Sequence, residues 1–336
     1  MIMGERLYIG IDLGTYQSTI ASSAGAMQTI ETVVGKPKDP VARNMLGRDV
    51  LFGDEALAKK LACNIYRPMA AGVAQDDEAN LAAAKAFVSH LIEVADPEEY
   101  DEVFGVICSP SHITFTDKSN LVATLRGQVN AIMVVSEPFA TGFDHDQYMG
   151  SIVVDIGAGT TDVARLYGTF PNEDDEFTVA EAGDWLDLQL MDLIEKKYTG
   201  AQLTKDMVRS WKEEFSYVGS DDEECMVELS VEGKKNVVDI GDIIRQGCEA
   251  LVPHVVGAIK SIIATADPEY QPQFRNNIIL SGGGSMIGGV AEMVADQLAD
   301  IGDVRVWCVD NPIESVASGA LKLANAMPDE QYTAIN

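Results

Sequence analysis

Two segments of this chain read as copies of one strand–turn–strand unit. Ile11-Asp12-Leu13-Gly14-Thr15-Tyr16-Gln17-Ser18-Thr19-Ile20-Ala21 aligns with Val154-Asp155-Ile156-Gly157-Ala158-Gly159-Thr160-Thr161-Asp162-Val163-Ala164 at a constant offset of 143 residues. Each copy follows an apolar strand, Leu7 to Ile11 or Ile152 to Val154. Each then enters a second β-rich stretch, Thr19 to Ser22 or Asp162 to Leu166. A lone Asp–Gly pair needs no more than a hairpin turn to explain it. Two in register predict two similar α/β domains facing one ligand across a cleft.

The residue types suit phosphate. Gly14, Gly157 and Gly159 would take left-handed dihedrals and let the backbone approach a ligand closely. Their N–H groups, with the hydroxyls of Thr15, Ser18, Thr160 and Thr161, could donate to phosphate oxygens. Asp12 and Asp155 would repel phosphate directly, so a hydrated hard cation, Mg²⁺ by preference, should stand between. A third turn shares this grammar: the apolar strand Asn277 to Leu280 runs into Ser281-Gly282-Gly283-Gly284-Ser285, ahead of a helix predicted from Gly289 to Ala299. Three glycines there allow flat contact with a base, sugar or phosphate, although a flexible loop alone would show the same residues.

The order Asp12-x-Gly, Ser136-Glu137-Pro138, Asp155-x-Gly-x-Gly-Thr-Thr and Ser281-Gly-Gly-Gly resembles the actin-type ATPase superfamily, which includes heat-shock chaperone ATPases and sugar kinases. Within it the chain is most similar to prokaryotic, MreB-like actins of the magnetosome (MamK-like) branch. Val33 to Asp39, Leu46-Gly47-Arg48, Gly53 to Ala56, Val134 to Phe139, Phe215 to Gly219, Cys248 to Leu251 and Pro268 to Gln271 carry that similarity, which runs from about residue 7 to about 325.

The resemblance implies an α/β, actin-like ATPase fold: two duplicated ribonuclease-H-like domains around a nucleotide cleft, each with a smaller inserted subdomain. The first core domain would comprise 1–34, 76–149 and 312–336, with 35–75 inserted. The second would comprise 150–187 and 249–311, with 188–248 inserted. Asp12 and Asp155 would hold hydrated Mg²⁺, and Glu137 would orient or activate the water attacking the γ-phosphate. Lys212 and Glu213 would contact adenine and ribose. ATP or ADP would also meet Gly14, Thr15, Tyr16, Gln17, Gly157, Gly159, Thr160, Thr161, Gly183, Gly282, Gly283, Gly284 and Ser285. A helix-start Glu needs no catalytic role, and a solvated helix face would also explain Lys212 and Glu213.

One departure stands out. Eukaryotic actin carries a phosphate-touching lysine seven residues after its first aspartate; here that position is Thr19, and Gln17 is the candidate polar contact. The activity implied is that of a cytoskeletal ATPase that polymerises with itself, head to tail, and hydrolyses ATP to regulate filament turnover. A sugar-kinase-type or regulatory ATPase that does not polymerise is the alternative. A kinase would need a second substrate pocket with its own base, and a chaperone a further peptide-binding domain; no motif for either is evident. Adenine is implied by resemblance alone, and the residues leave GTP open, as they do cargo, adaptor and cellular role.

The charge is the second informative feature. With 53 acidic residues against 24 basic the net charge is −29, spread along the chain. This disfavours nucleic acid and anionic lipid. Like charge would also oppose stacking of identical subunits until molar salt shortens the Debye length to about 3 Å. A salt-in halophile, haloarchaeal in origin, is therefore expected, with a merely acidic cytoplasmic protein as the alternative. Five scattered cysteines without a C-x-x-C pair, and four scattered histidines, predict reduced thiols in cytoplasm and no zinc site. No run of 18 apolar residues occurs, so no membrane-spanning helix is expected. Met1 to Arg6 is too short for a signal peptide or a membrane-binding amphipathic helix.

Helices are predicted over Asp77–Val94 (capped by Asp76 or Asp77), Thr116–Gly127, Leu188–Lys197 and Val208–Phe215, with a buried strand Val103–Cys108. The strand Ala131–Val135 delivers Glu137, and Pro138 suits a first helical turn. Residues 35–75 read as irregular. Strands Met226–Val231 and Lys235–Val238 should turn at Glu232-Gly233. Asp239 or Asp242 should cap a helix that Pro253 kinks or restarts. The small-residue helix Glu314–Ala320 should pack tightly on Phe139 to Gly142, as a hinge or as a plain close contact.

Overall fold

The computed structural model describes residues 5–75, 77–220 and 224–335. Asp76, the alternative cap, the acidic Asp221-Asp222-Glu223 and most of the N-terminal stretch lie outside the described residues. The chain forms two compact units, 1–148 with 313–336, and 149–312.

The first unit is built on a six-stranded sheet in the order Thr333–Ala334, Ala131–Ser136, Glu102–Ser109, Arg6–Leu13, Gln17–Ser22, Met27–Glu31. The strands 131–136, 102–109 and 6–13 run parallel, and 17–22 and 27–31 return antiparallel. Leu7, Ile9, Ile11 and Ile107 are fully buried, as expected of strands covered on both faces. The helix Glu78–Glu93 contributes Ala84, Val88 and Leu91 to this core. Asp77 caps it, accepting from the Asn80 N–H at 3.0 Å. The next helix spans Phe115–Leu125 and opens on a capping box between Thr114 and Asp117.

Helix Ser315–Ala326 crosses both the central strand and helix Glu137–Asp144. A Cβ on Gly10 would collide with the backbone of Ala317 and Leu321, and one on Gly319 with the Ala140 carbonyl. The predicted small-residue contact therefore exists. Both helices belong to the first unit, so their contact holds that unit together and is not by itself a hinge.

Residues 35–75, expected to be irregular, are ordered. Strands Val34–Pro37, Leu51–Phe52 and Cys63–Tyr66 make a small sheet. Helices Pro40–Leu46 and Gly53–Ala58 accompany it, and Met69–Ala70 pairs with Val73–Ala74. Strands of two to four residues show no readable alternation. Pro40 sits at the start of a helix whose cap Asp39 accepts from the Ala42 N–H at 2.8 Å.

The second unit repeats the plan with a five-stranded sheet: Glu176–Val179, Thr161–Tyr167, Met149–Ile156, Ile278–Ser281, Val306–Cys308. Helix Gly241–Ala264 is its central core helix, burying Ile244, Leu251, Val255 and Ile259 among others. It runs through Pro253 without the restart that was one of the two expectations there. By length and composition it is also apolar enough to cross a membrane, though Asp242, Arg245, Glu249 and Lys260 interrupt its apolar residues. Here its apolar residues are packed against the sheet and neighbouring helices. Asp239, not Asp242, ties down its start, accepting from the N–H groups of Gly241 and Cys225 at 2.9 and 3.0 Å. Those bonds hold its carboxyl below the usual range. The predicted hairpin is present as Met226–Val231 and Lys234–Asp239, with Glu232 and Gly233 both at positive φ.

Candidate functional site

Each unit carries one Asp–Gly turn at the carboxyl edge of its sheet. In the first, Asp12 pairs with Thr19 across the hairpin and with Cys108 on the parallel strand. In the second, Asp155 pairs with Asp162 and with Ser281. The sequence offset is thus a structural repeat, register included. Open α/β sheets bind ligands at the carboxyl ends of their parallel strands.

The glycines act differently from the expectation. Gly14, Gly157 and Gly159 do not adopt left-handed dihedrals. Gly14 and Gly157 are needed for space: a Cβ on Gly14 would collide with the Gln17 carbonyl, and one on Gly157 would lie 3.2 Å from the Thr160 carbonyl oxygen. The Gly157 N–H donates to that same oxygen at 2.9 Å, closing the turn.

The hydroxyls divide into two kinds. Ser18, fully buried, shares a hydrogen bond of 2.8 Å with Thr32, which donates to the Gly14 carbonyl at 2.9 Å. Its counterpart Thr161, also fully buried, donates to the Glu181 carbonyl at 2.8 Å. Both brace the turns from behind. Thr15 accepts from the Gly72 N–H at 2.7 Å, which ties the 69–74 ladder to the first turn and leaves its own O–H to donate. Thr160 is half-buried at the mouth of the second turn. Tyr16 donates to Glu31 at 3.3 Å, and Gln17 is half-buried beside it. Thr19, where actin has its lysine, is 1% exposed and bonded to Thr29 at 2.8 Å.

Glu137 leaves the strand Ala131–Ser136 as the first residue of its helix and is 9% exposed. The strands 6–13, 102–109 and 131–136 are parallel, so Asp12 and Glu137 stand on the same carboxyl edge with one strand between them. Burial pushes Asp12 up to about 7, and Asp155 is 5% exposed. A hard, doubly charged cation is the natural complement of such carboxylates. The folded value of Asp12 exceeds its unfolded one of 3.8, so charging it opposes folding. That penalty is absent below the unfolded value, grows as pH rises and is complete above about 7. Without divalent ions, the Tm of the wild type should therefore fall more between pH 5 and 8 than that of Asp12→Asn, measured by thermal scanning of both.

In the second unit the Gly-rich loop lies against the Asp155 turn. Gly282 has φ +72°, and a Cβ there would sit 2.6 Å from Asp155 Oδ1; one on Gly284 would collide with Ile156. Packing therefore demands these two glycines, and Gly283 is the exposed member. Ser285 is buried and donates to the Gly282 carbonyl at 2.8 Å.

The helix expected from Leu188 begins at Gly183. The Gly183 and Asp184 N–H groups donate to the carbonyls of Gly157 and Ala158 at 3.0 and 2.7 Å, locking the helix start to the turn. Gly183 thus acts by positioning. Lys212, on helix Lys205–Phe215, pairs with Asp187 at 2.6 Å and donates to the Gly183 carbonyl at 3.2 Å. Arg209 pairs with the same fully buried Asp187 at 2.7 Å, and with Asp184. Sequence reasoning missed this cluster. Its signal was two acids three apart facing two bases three apart, on helices neither of which had a firm start. Glu213 is exposed, and partial burial of its carboxyl raises its pKa.

A doubled Asp-turn at the carboxyl edges of two like sheets, one backed by a Gly-rich loop, defines an actin-like fold. The MreB/Mbl protein family model matches residues 6–331, and the chain belongs to that family. It is 35% identical to the actin-like protein MamK of Paramagnetospirillum magneticum, over 98% of this chain and 95% of that protein. Among solved structures, the MamK double helical filament superposes with a TM-score of 0.94 at 35% identity, covering 96% of this chain and 100% of that one. A non-polymerising MamK mutant bound to AMPPNP gives 0.75 at 34% identity, covering 96% and 99%.

Proposed function

We propose that this chain is an actin-like cytoskeletal ATPase that binds Mg-ATP through both Asp turns, assembles head to tail with copies of itself and hydrolyses ATP to limit filament lifetime. The repeat of Asp12 and Asp155 in identical sheet registers carries the reading. The filament and AMPPNP-bound relatives support it. Asp12 and Asp155 would hold Mg²⁺ through water, and the ion would neutralise phosphate charge. The turn amides, with Thr15 and Thr160, donate to phosphate oxygens. Glu137 orients the attacking water and takes its proton. Lys212, Glu213 and the loop around Gly283 face base and ribose. The separate small sheets within 34–66 and 201–239 support 35–75 and 188–248 as inserted subdomains. A cytoplasmic location fits five free cysteines.

The test is light scattering with parallel phosphate release after Mg-ATP is added in low and multimolar KCl. Scattering that rises above a critical concentration and decays as ATP is spent is the expected result. With a net charge of −29, the critical concentration should fall as KCl rises. ATP turnover without scattering in either salt would favour the kinase-type alternative.

A further inference from the structure

The turns assigned to the nucleotide hold acids and no base. No Lys or Arg stands between Arg6 and Lys36, between Arg126 and Arg165, or between Arg275 and Arg305. Asp12, Glu137, Asp155 and the Gly-rich loop all fall inside those gaps. Thr19, where actin has its lysine, is buried against Thr29. One divalent ion leaves ATP and these carboxylates with a net negative charge, which a further cation at short range would offset. Other bases are already committed. Arg6 lies at the far end of its strand and pairs with Glu102 and Asp329. Arg165 and Lys212 pair with Asp175 and Asp187.

Arg67 is placed differently. Its guanidinium lies over the ring of Tyr16, a residue of the first Asp turn, with Cζ 5.7 Å from the ring centroid. That is cation–π range. The Tyr16 hydroxyl is anchored in turn on Glu31 at 3.3 Å. The backbone is fixed as well: the Arg67 carbonyl accepts from Gln75 Nε2 at 2.7 Å, and the Pro68 carbonyl from the Gln75 N–H at 3.0 Å. The ladder that follows, Met69–Ala70 with Val73–Ala74, is tied to the turn by the bond from Gly72 to Thr15. Gly72 has φ +70°, and a Cβ there would collide with the Pro110 ring. Pro110 follows strand Glu102–Ser109, which lies between the strands that deliver Asp12 and Glu137. The segment bearing Arg67 therefore lies along the carboxyl edge that holds both acids. Arg67 is half-buried there, its Nη1 shut off from solvent.

We propose that Arg67 is the cation that grips the terminal phosphate of ATP, on the Glu137 side of the first turn; the proposal rests on the nucleotide reading above. Its planar fork matches two phosphate oxygens at once, where a lysine offers a point charge. Tyr16 forms a shelf under the guanidinium, so less freedom is lost when phosphate binds. In hydrolysis the water oxygen bonds to the terminal phosphorus and its proton passes to Glu137. The bond to the bridging oxygen breaks, and its electron pair leaves with ADP. Arg67 stays charged throughout and offsets the negative charge of the phosphoryl oxygens in transit. ADP lacks that phosphate and gains nothing from Arg67, so this residue discriminates ATP from ADP.

The test uses the full-length chain with Mg²⁺, at protein concentrations too low for assembly, and reads nucleotide binding by calorimetry. Arg67→Met should weaken ATP binding about tenfold or more and leave ADP binding unchanged. Beryllium fluoride, a stand-in for the terminal phosphate, should tighten ADP binding to the wild type and not to Arg67→Met. Phosphate release at saturating ATP should fall about 100-fold. Arg67→Lys keeps the charge without the fork and should lie between wild type and Arg67→Met in each measure. Equal loss of ATP and ADP affinity in a folded Arg67→Met, or loss of neither, overturns the role. Should thermal scanning show Arg67→Met unfolded, Arg67→Lys decides alone: its preference for ATP over ADP must drop, and a wild-type preference overturns the proposal. A wild type that binds neither nucleotide overturns the nucleotide reading and this role together. A wild type that binds both, beside an Arg67→Met that keeps its ATP preference, overturns this role alone.

Discussion

Glu137→Ala is expected to bind ATP and assemble at wild-type concentrations yet release phosphate about 100-fold more slowly or worse, the usual range for losing a general base. The side chain is 9% exposed, fixed at the first helical position ahead of Pro138 and set on the same carboxyl edge as Asp12. Truncation leaves the sheet and the phosphate turn intact, so binding and assembly should survive. Filaments should then persist long after the wild-type polymer has decayed. Glu137→Gln separates orientation from proton transfer, since the amide keeps the shape but cannot take a proton. Phosphate release at the wild-type rate in both variants would remove Glu137 from the reaction.

The duplicated turn was legible because its period is fixed by the chain and needs no knowledge of packing. The fold followed from it, since a strand–turn–strand with an Asp at its mouth has few uses. The direction of individual hydroxyls was not legible. Ser18 and Thr161 sit in strands buried on both faces, where alternation gives no inside or outside, and both turned inward. The glycines were right in place and wrong in reason: Gly14 and Gly157 answer to nearby carbonyls, not to left-handed backbone. The start at Gly183 was hidden because a glycine reads as a breaker. Only the carbonyls of Gly157 and Ala158, 26 residues upstream, supply partners for its first N–H groups. Without that start the facing acids and bases of the second unit could not be aligned.

Asp187 carries the second large effect. It is fully buried and meets two cations, Arg209 at 2.7 Å and Lys212 at 2.6 Å. Arg209 is itself 6% exposed. Asp187→Ala would leave both cations without their shared partner in a dry site, a loss of about 3 kcal/mol or more. For a unit of this size that corresponds to a Tm lower by roughly 10 °C. Lys212 also holds the Gly183 carbonyl, and Gly183 holds the second Asp turn. Nucleotide affinity should therefore fall as well, although Asp187 is too buried to touch a ligand. Asp187→Leu combined with Arg209→Met and Lys212→Met replaces the buried acid and both its cations by apolar groups and should recover most of the stability, because the remaining Asp184 keeps Lys205 as its partner at 3.0 Å. The same triple variant should not recover affinity, since the link from Lys212 to Gly183 is gone. A Tm within a degree or two of wild type for Asp187→Ala would show that Asp184 and water already satisfy the two cations. Recovery of both stability and affinity in the triple variant would show that the second turn keeps its shape without this cluster.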